Sequence, residues 1–271
     1  MSQSTLPAAD CVLVAQEGAV RVLTLNRPQA LNAFTATMLA HLRQALDDAA
    51  HDRAVRAVLV SGAGRAFCAG QDLSDPLIKP EADQPPKDIG HLLDHYYIPL
   101  ALRLRSMPVP VVCAVNGVAA GAGANFALGC DLVVAAQSAS FIQAFSKIGL
   151  IPDCGGSWLL TRLVGRARAR QLALLGDKLP ADQAQSWGLI ARCVPDDQLA
   201  AEGMALAQRL AAMPTKALVE TRRILDEALE LNLEDALKLE ARLQSQLGFA
   251  HDYQEGVNAF LDKRAPQYKD R

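Results

Sequence analysis

The sequence predicts an α/β fold with a helical C-terminal part, and three observations carry that expectation. Apolar runs of strand length are followed by glycine turns and then by helical patterns, the order of parallel α/β units. After Pro152 the pattern becomes almost wholly helical. The chain has 271 residues, 51% of them hydrophobic, which is enough to bury a large core.

The elements follow in order. Residues Cys11–Leu25 alternate around Gly18 and predict a hairpin of Val12-Leu13-Val14 with Val20–Leu25, ended by Asn26-Arg27-Pro28. Thr35 is placed to cap a helix over Ala36–Ala50, with Met38, Leu39, Leu42, Leu46 and Ala49 at helical spacing. A buried strand is expected at Val55–Ser61. Residues 74–90 hold Pro76, Pro80, Pro85 and Pro86 among charges and predict a mobile surface loop, with a lid among its uses. A helix around Ile89–Arg105, a strand at Val109–Val115, a helix at Ala122–Leu128 and a strand at Leu132–Ala136 come next. The later helices are expected at Trp158–Val164, Ala167–Leu175, Ala181–Trp187, Leu199–Met213, Pro214–Leu231 and Leu233–Gly248, with Pro214 in a first turn.

Bulk properties exclude several classes. A net charge of −2 and a pI near 6.2 speak against a nucleic-acid partner. No apolar run reaches membrane-spanning length, and Met1–Pro7 shows no leader pattern, so a soluble cytoplasmic protein is expected. Six cysteines are scattered without any CxxC pair, which predicts packed free thiols in a reducing compartment.

Three glycine-rich turns carry the chemistry. The first is Phe67-Cys68-Ala69-Gly70-Gln71-Asp72-Leu73, the second Asn116-Gly117-Val118-Ala119-Ala120-Gly121-Ala122-Gly123, the third Gly149-Leu150-Ile151-Pro152-Asp153-Cys154-Gly155-Gly156. Such turns expose backbone N–H groups. Two N–H groups, of Gln71 and of Ala122 at a helix start, aimed at one carbonyl make an oxyanion hole. The plain alternative is a pair of ordinary turns. A dinucleotide site fits poorly, because Gly121-x-Gly123 is followed by Ala124, Asn125 and Phe126 rather than completing GxGxxG. Asp153 lies among apolar and small residues. Burial there would raise its pKa and make it a base; the same aspartate would also serve as the N-cap of the next helix.

Other candidates have simpler uses. Cys154 has no histidine nearby in sequence and reads as packed. His91 and His95 lack a third ligand and read as a solvated helix face. Arg162, Arg166, Arg168 and Arg170 would meet phosphates or face water.

These motifs, with Leu25-Asn26-Arg27-Pro28, Leu31-Asn32-Ala33, Trp187-Gly188-Leu189-Ile190 and Phe260-Leu261-Asp262-Lys263-Arg264, occur in one order. In that order the chain resembles the enoyl-CoA hydratase/isomerase (crotonase) superfamily from Val20 to about Pro266. The resemblance implies a spiral of ββα turns over residues 1–200 and a helical segment over 201–271 that builds a homotrimer or a dimer of trimers. It implies an acyl-CoA substrate, CoA being part of that substrate, with no separate cofactor and no metal. It implies that the N–H groups of Gln71 and Ala122 hold the thioester oxygen, and that Asp153 is the catalytic carboxylate. Arg27, Ala33, Ala69, Asp72 and Leu73 would line the CoA path, with Phe260 and Lys263 near the CoA of this or a neighbouring subunit.

Hydratases of the superfamily carry two glutamates where this chain has Asn125 and Phe145, both then expected to contact substrate. The run from Phe145 to Gly156, with Leu163–Ala169, is similar to the branch that isomerises the ring-1,2-epoxide of phenylacetyl-CoA to an oxepin and shifts 3-enoyl-CoA to 2-enoyl-CoA. That implies an isomerase of aerobic phenylacetate catabolism, with room for a complex with a pathway hydratase. The alternatives are an enoyl-CoA hydratase, a dehalogenase-like enzyme using Asp153 as nucleophile, and a non-catalytic acyl-CoA-binding subunit.

Overall fold

Two sheets share one spiral of chain. The computed structural model describes residues 11–82 and 84–271. The Met1–Pro7 segment read for a leader lies outside the described residues. Strand β1 (Val12–Glu17) forms the expected antiparallel hairpin with β2 (Val20–Leu25). Parallel pairing then adds β3 (Ala57–Gly62), β5 (Val111–Val115), β7 (Leu132–Ala136) and β10 (Arg192–Val194), in the order β1-β2-β3-β5-β7-β10. A second sheet runs β4 (Ala66–Cys68), β6 (Val118–Ala120), β8 (Ser140–Ile142), β9 (Lys178–Pro180). Its first three strands are parallel and β9 is antiparallel to β8.

Each turn of the spiral thus gives one strand to each sheet before a helix returns: β3 and β4, then β5 and β6, then β7 and β8. This is the α/β, ββα-spiral architecture that the motifs imply. Strands β3, β5 and β7 are largely buried on both faces, as parallel strands are, so they read as apolar runs.

Helix α1 (Ala36–His51) begins where Thr35 accepts a hydrogen bond from the Met38 N–H, and it buries Met38, Leu39, Leu42 and Leu46. The expected helix around Ile89–Arg105 forms as α2 (Ile89–Leu92), a π-turn at Leu93–Tyr97 and α3 (Ile98–Arg105). Pro99 explains the widening: it has no N–H for the preceding turn and its ring would clash there. Helix α4 is Ala122–Leu128, and all seven of its residues are buried. Helix α5 (Gly156–Leu175) breaks at Gly165 (φ 73), where the sequence separates two helices. Then come α6 (Ala181–Ser186), α7 (Leu199–Ala211), α8 (Thr215–Glu227), α9 (Leu233–Gly248) and α10 (His251–Leu261).

Pro214 stands just outside α8, at its N-cap, rather than in the first turn. The expected boundary at residue 200 falls one residue inside α7, which packs on β3, β5 and β7. Residues 74–82 and 84–88 form an irregular connection. It is pinned where the buried Asp75 carboxylate accepts from the N–H groups of Ala36 and Leu77.

Phe34, Phe67, Tyr97 and Phe126 are among the largest fully buried side chains. Phe34 meets Phe126 and Tyr97 edge to face, at 6.0 and 6.3 Å between centroids. Burying a side chain of this size contributes roughly 1.5–3 kcal/mol. The cluster holds the Leu93–Tyr97 turn against α4 and Phe34. Among the described residues no helix is long and apolar enough to cross a membrane.

Candidate active site

The first and second glycine turns lie against each other. Gly70 has φ +93, and a Cβ on it would stand 2.9 Å from the Ala120 carbonyl oxygen and 3.7 Å from the Ala122 nitrogen. Only glycine lets the two segments approach so closely. Gln71 forms a parallel bridge with Phe34, in which the Phe34 N–H donates to the Gly70 carbonyl (2.7 Å) and the Asp72 N–H donates to the Phe34 carbonyl (2.8 Å). That pattern turns the intervening Gln71 N–H the other way. Ala122 is the first residue of α4, so its N–H has no partner within the helix. The Phe145 ring packs against Gly121, 3.7 Å from where a Cβ would stand, and covers this turn.

The third turn brings Asp153 to the same place. The Gly156 N–H donates to the Asp153 carbonyl at 2.8 Å, with positive φ at both Cys154 (48°) and Gly155 (81°), the pattern of a type I′ turn. Cys154 carries a side chain in that left-handed region, a strain of order 1–3 kcal/mol of the kind that clusters at functional sites. Asp153 does not cap α5: Gly155 holds the N-cap position and no side chain caps it. Instead Asp153 Oδ1 is buried with no hydrogen-bond partner. Burial pushes its carboxyl up to about 7.

Tyr97 links the turns, and nothing in the sequence singles it out. Its hydroxyl donates to Gln71 Oε1 at 2.7 Å, and the Gln71 amide also donates to the Asp72 carbonyl at 3.3 Å. Burial, and after it the neighbouring Asp153 charge, push the Tyr97 hydroxyl well above its ordinary range. A lone tyrosine in an apolar helix reads as core. Gln143, just after β8, was also silent in the sequence; its Nε2 donates to Asn125 Oδ1 at 2.8 Å.

The expected CoA-path residues form one cluster. The Arg27 guanidinium pairs with Asp72 at 2.9 Å and donates to the Ala33 carbonyl. The Ala69 N–H donates to the Leu31 carbonyl at 3.0 Å, and Leu73 is exposed beside them. Partial burial acts to raise the Asp72 carboxyl, but hydrogen bonds from Ser74 and Arg27 outweigh it and hold it below the usual carboxylate range. Asn125 is fully buried, and its amide is engaged by Gln143 and by the Asp153 carbonyl. Phe260 and Lys263 are not brought to the glycine turns. They lie exposed at the end of α10 and in the turn after it, Phe260 on a groove with Pro214, Tyr253 and Tyr268.

The remaining candidates resolve simply. Burial raises the Cys154 thiol and pushes Cys68 up to about 12, so both stay protonated at neutral pH. Cys68, Cys113, Cys130, Cys154 and Cys193 are free thiols. His91 and His95 are exposed and stack on each other at 4.0 Å. Arg162 lies over Trp158 and pairs with Glu230, and Arg168 lies over Trp187, so two of the four clustered arginines serve the fold. Among the described residues His251, Asp252 and Asp270 have ligand atoms within 4.8 Å of one another. The Asp252 carboxylate is already taken by the N–H groups of Lys269 and Asp270, which ties the C-terminal tail to α10.

A buried carboxylate beside two outward N–H donors suits removal of a proton next to a carbonyl whose oxygen the donors hold.

Comparison with known proteins gives the family. The enoyl-CoA hydratase/isomerase family model matches residues 15–271. The 1,2-epoxyphenylacetyl-CoA isomerase of Escherichia coli (strain K12) is 50% identical over 252 residues, covering 93% of this chain and 95% of that protein. A crystal structure of an enoyl-CoA hydratase from Bacillus anthracis superposes with a TM-score of 0.89 at 28% identity, over 96% of this chain and 100% of that one. One from Polaromonas sp. JS666 gives 0.87 at 33% identity, over 95% and 99%. The chain therefore belongs to the enoyl-CoA hydratase/isomerase family, the crotonase-fold enzymes that act on acyl-CoA thioesters.

Proposed function

We propose that this protein is an acyl-CoA isomerase in which Asp153 moves the proton. The observation that carries the reading is the buried, unpartnered Asp153 Oδ1, with asparagine and phenylalanine at positions 125 and 145. A lone carboxylate poised near neutral pH is suited to take a proton and return it elsewhere. It is ill suited to hydration, where two carboxylates share the handling of water. For a 3-enoyl thioester, Asp153 removes a C2 proton. The electron pair moves to the thioester oxygen, held by the N–H groups of Gln71 and Ala122. Asp153 then delivers the proton to C4, and the product is the conjugated 2-enoyl thioester. Atoms and electrons balance with no added reagent.

The finer substrate is the ring-1,2-epoxide of phenylacetyl-CoA, whose isomer is the oxepin. The 50% identity to a protein of that named activity supports it. Arg27, Ala33, Ala69, Asp72 and Leu73 would run along the CoA. The exposed Phe260 and Lys263 suit a CoA bound to a neighbouring subunit. Exposed Leu233, Phe249, Phe260 and Leu261 on the C-terminal helices support association into a trimer or a dimer of trimers. A purely binding subunit is disfavoured, because burying an unpaired carboxylate is costly and serves no binding purpose.

The test is a substrate panel: a 3-enoyl-CoA, crotonyl-CoA and the aromatic epoxide thioester, each followed by product analysis. The 3-enoyl and epoxide thioesters should be isomerised, and crotonyl-CoA hydrated orders of magnitude more slowly. Rapid hydration of crotonyl-CoA would refute the reading. A stable aryl-enzyme adduct by mass spectrometry would point to Asp153 as nucleophile.

A further inference from the structure

Asn125 is fully buried in α4, and its amide spans two segments far apart in the chain. Its Oδ1 accepts from Gln143 Nε2 at 2.8 Å, and its Nδ2 donates to the Asp153 carbonyl at 2.9 Å. The amide cannot be turned over. Reversed, it would set Oδ1 against the Asp153 carbonyl and Nδ2 against the Gln143 amide nitrogen, two repulsive contacts for two bonds. Gln143 is itself buried, so its amide has no water to turn to.

The fit is close. A Cβ on Gly156 would lie 2.1 Å from Asn125 Nδ2, so the chain passes directly over the amide. The Asp153 carbonyl then has two donors, Asn125 and the Gly156 N–H. The turn they hold contains Cys154 in the left-handed region, a conformation that persists only where the surroundings over-determine it. An amide supplies this clamp without charge; a carboxylate at position 125 would repel the carbonyl and add a second negative group beside Asp153.

We infer that Asn125, backed by Gln143, is a positioning residue for the base: it clamps the Asp153–Gly156 turn so that the Asp153 carboxyl stays out of water and aimed at the acyl chain. The inference rests on Asp153 being the base. It assigns the amide at position 125 a part in the reaction without contact to substrate.

The experiment measures deuterium exchange at C2 of a bound acyl-CoA over roughly pH 5 to 9, with KM, for Asn125→Ala, Gln143→Met and Asp153→Asn. Gln143→Met keeps the volume and leaves Asn125 in place but releases its amide, so it decides the matter if Asn125→Ala does not fold. Both clamp variants should exchange more slowly per folded site, by about 10²-fold for a displacement near 1 Å. Their KM should stay close to wild type. The apparent pKa of exchange should move down toward the ordinary carboxylate range as water reaches Asp153. A merely structural role would lower the folded fraction and leave that pKa where it was. Wild-type exchange and pKa in the folded clamp variants, with Asp153→Asn inactive, would overturn this inference alone. Wild-type exchange in Asp153→Asn would overturn the base reading beneath it.

Discussion

Asp153 sets a stability cost against the function proposed for it. Its carboxyl is pushed up to about 7 by burial, so the ionised form is disfavoured in the folded chain relative to the unfolded one. The sign follows directly. Below the unfolded carboxylate pKa both states are protonated and there is no penalty. Between there and about 7 the unfolded carboxyl ionises while the folded one stays protonated, so stability falls across this range and levels off above it. Asp153→Asn should therefore raise the melting temperature near pH 8, and the gain should vanish near about pH 4. A gain that is equal at both pH values would show that ionisation of Asp153 is not its source. The adjacent thiol is a different case. Cys154→Ala should keep most of the turnover, and the wild-type thiol should alkylate slowly at neutral pH, because burial keeps it protonated. Loss of activity together with fast alkylation would make Cys154 a reacting group.

At the scale of the element, the proposed oxyanion donors belong to turns, so backbone changes should outweigh side-chain changes. Gln71→Pro removes an N–H and should abolish turnover, the loss of one such donor costing about 10²–10³ in rate. Gln71→Ala keeps the N–H and should keep much of the activity. It should still lower stability by about 1–3 kcal/mol, since the buried Tyr97 hydroxyl loses its acceptor. Equal kinetic loss in the two variants would give the side chain the functional role.

Sequence legibility divides at this scale too. The hairpin, the Thr35 cap, α4, β7 and the break at Gly165 are readable because local pattern decides them. The three-residue strands β4, β6, β8, β9 and β10 are not readable, since so few residues cannot display a period of two. Helix α10 escapes because Tyr253, Val257, Phe260 and Leu261 are exposed while Asp252 is buried, which inverts the usual pattern. Asp153, Gln71 and Ala122 are visible through their glycines. Tyr97, Gln143 and the clamp role of Asn125 are invisible, because their partners lie 26, 18 and 28 residues away and only the spiral brings them together.

At the scale of the whole molecule, one spiral delivers three turns to one point, and the C-terminal helices leave large apolar side chains outside. Phe249 and Phe260 are 86% and 83% exposed. Sedimentation should accordingly find three or six copies of the 29.0 kDa chain, and a charged residue at Phe249 or Leu233 should shift it toward smaller species. A stable wild-type monomer at micromolar concentration would remove the assembly from the account. The central claim is that one buried carboxylate moves the proton, and C2 deuterium exchange on a bound acyl-CoA tests it most directly. Asp153→Asn should fold, bind the thioester and lose about 10²–10⁴ in exchange rate; exchange at the wild-type rate in that folded, binding variant would contradict the claim.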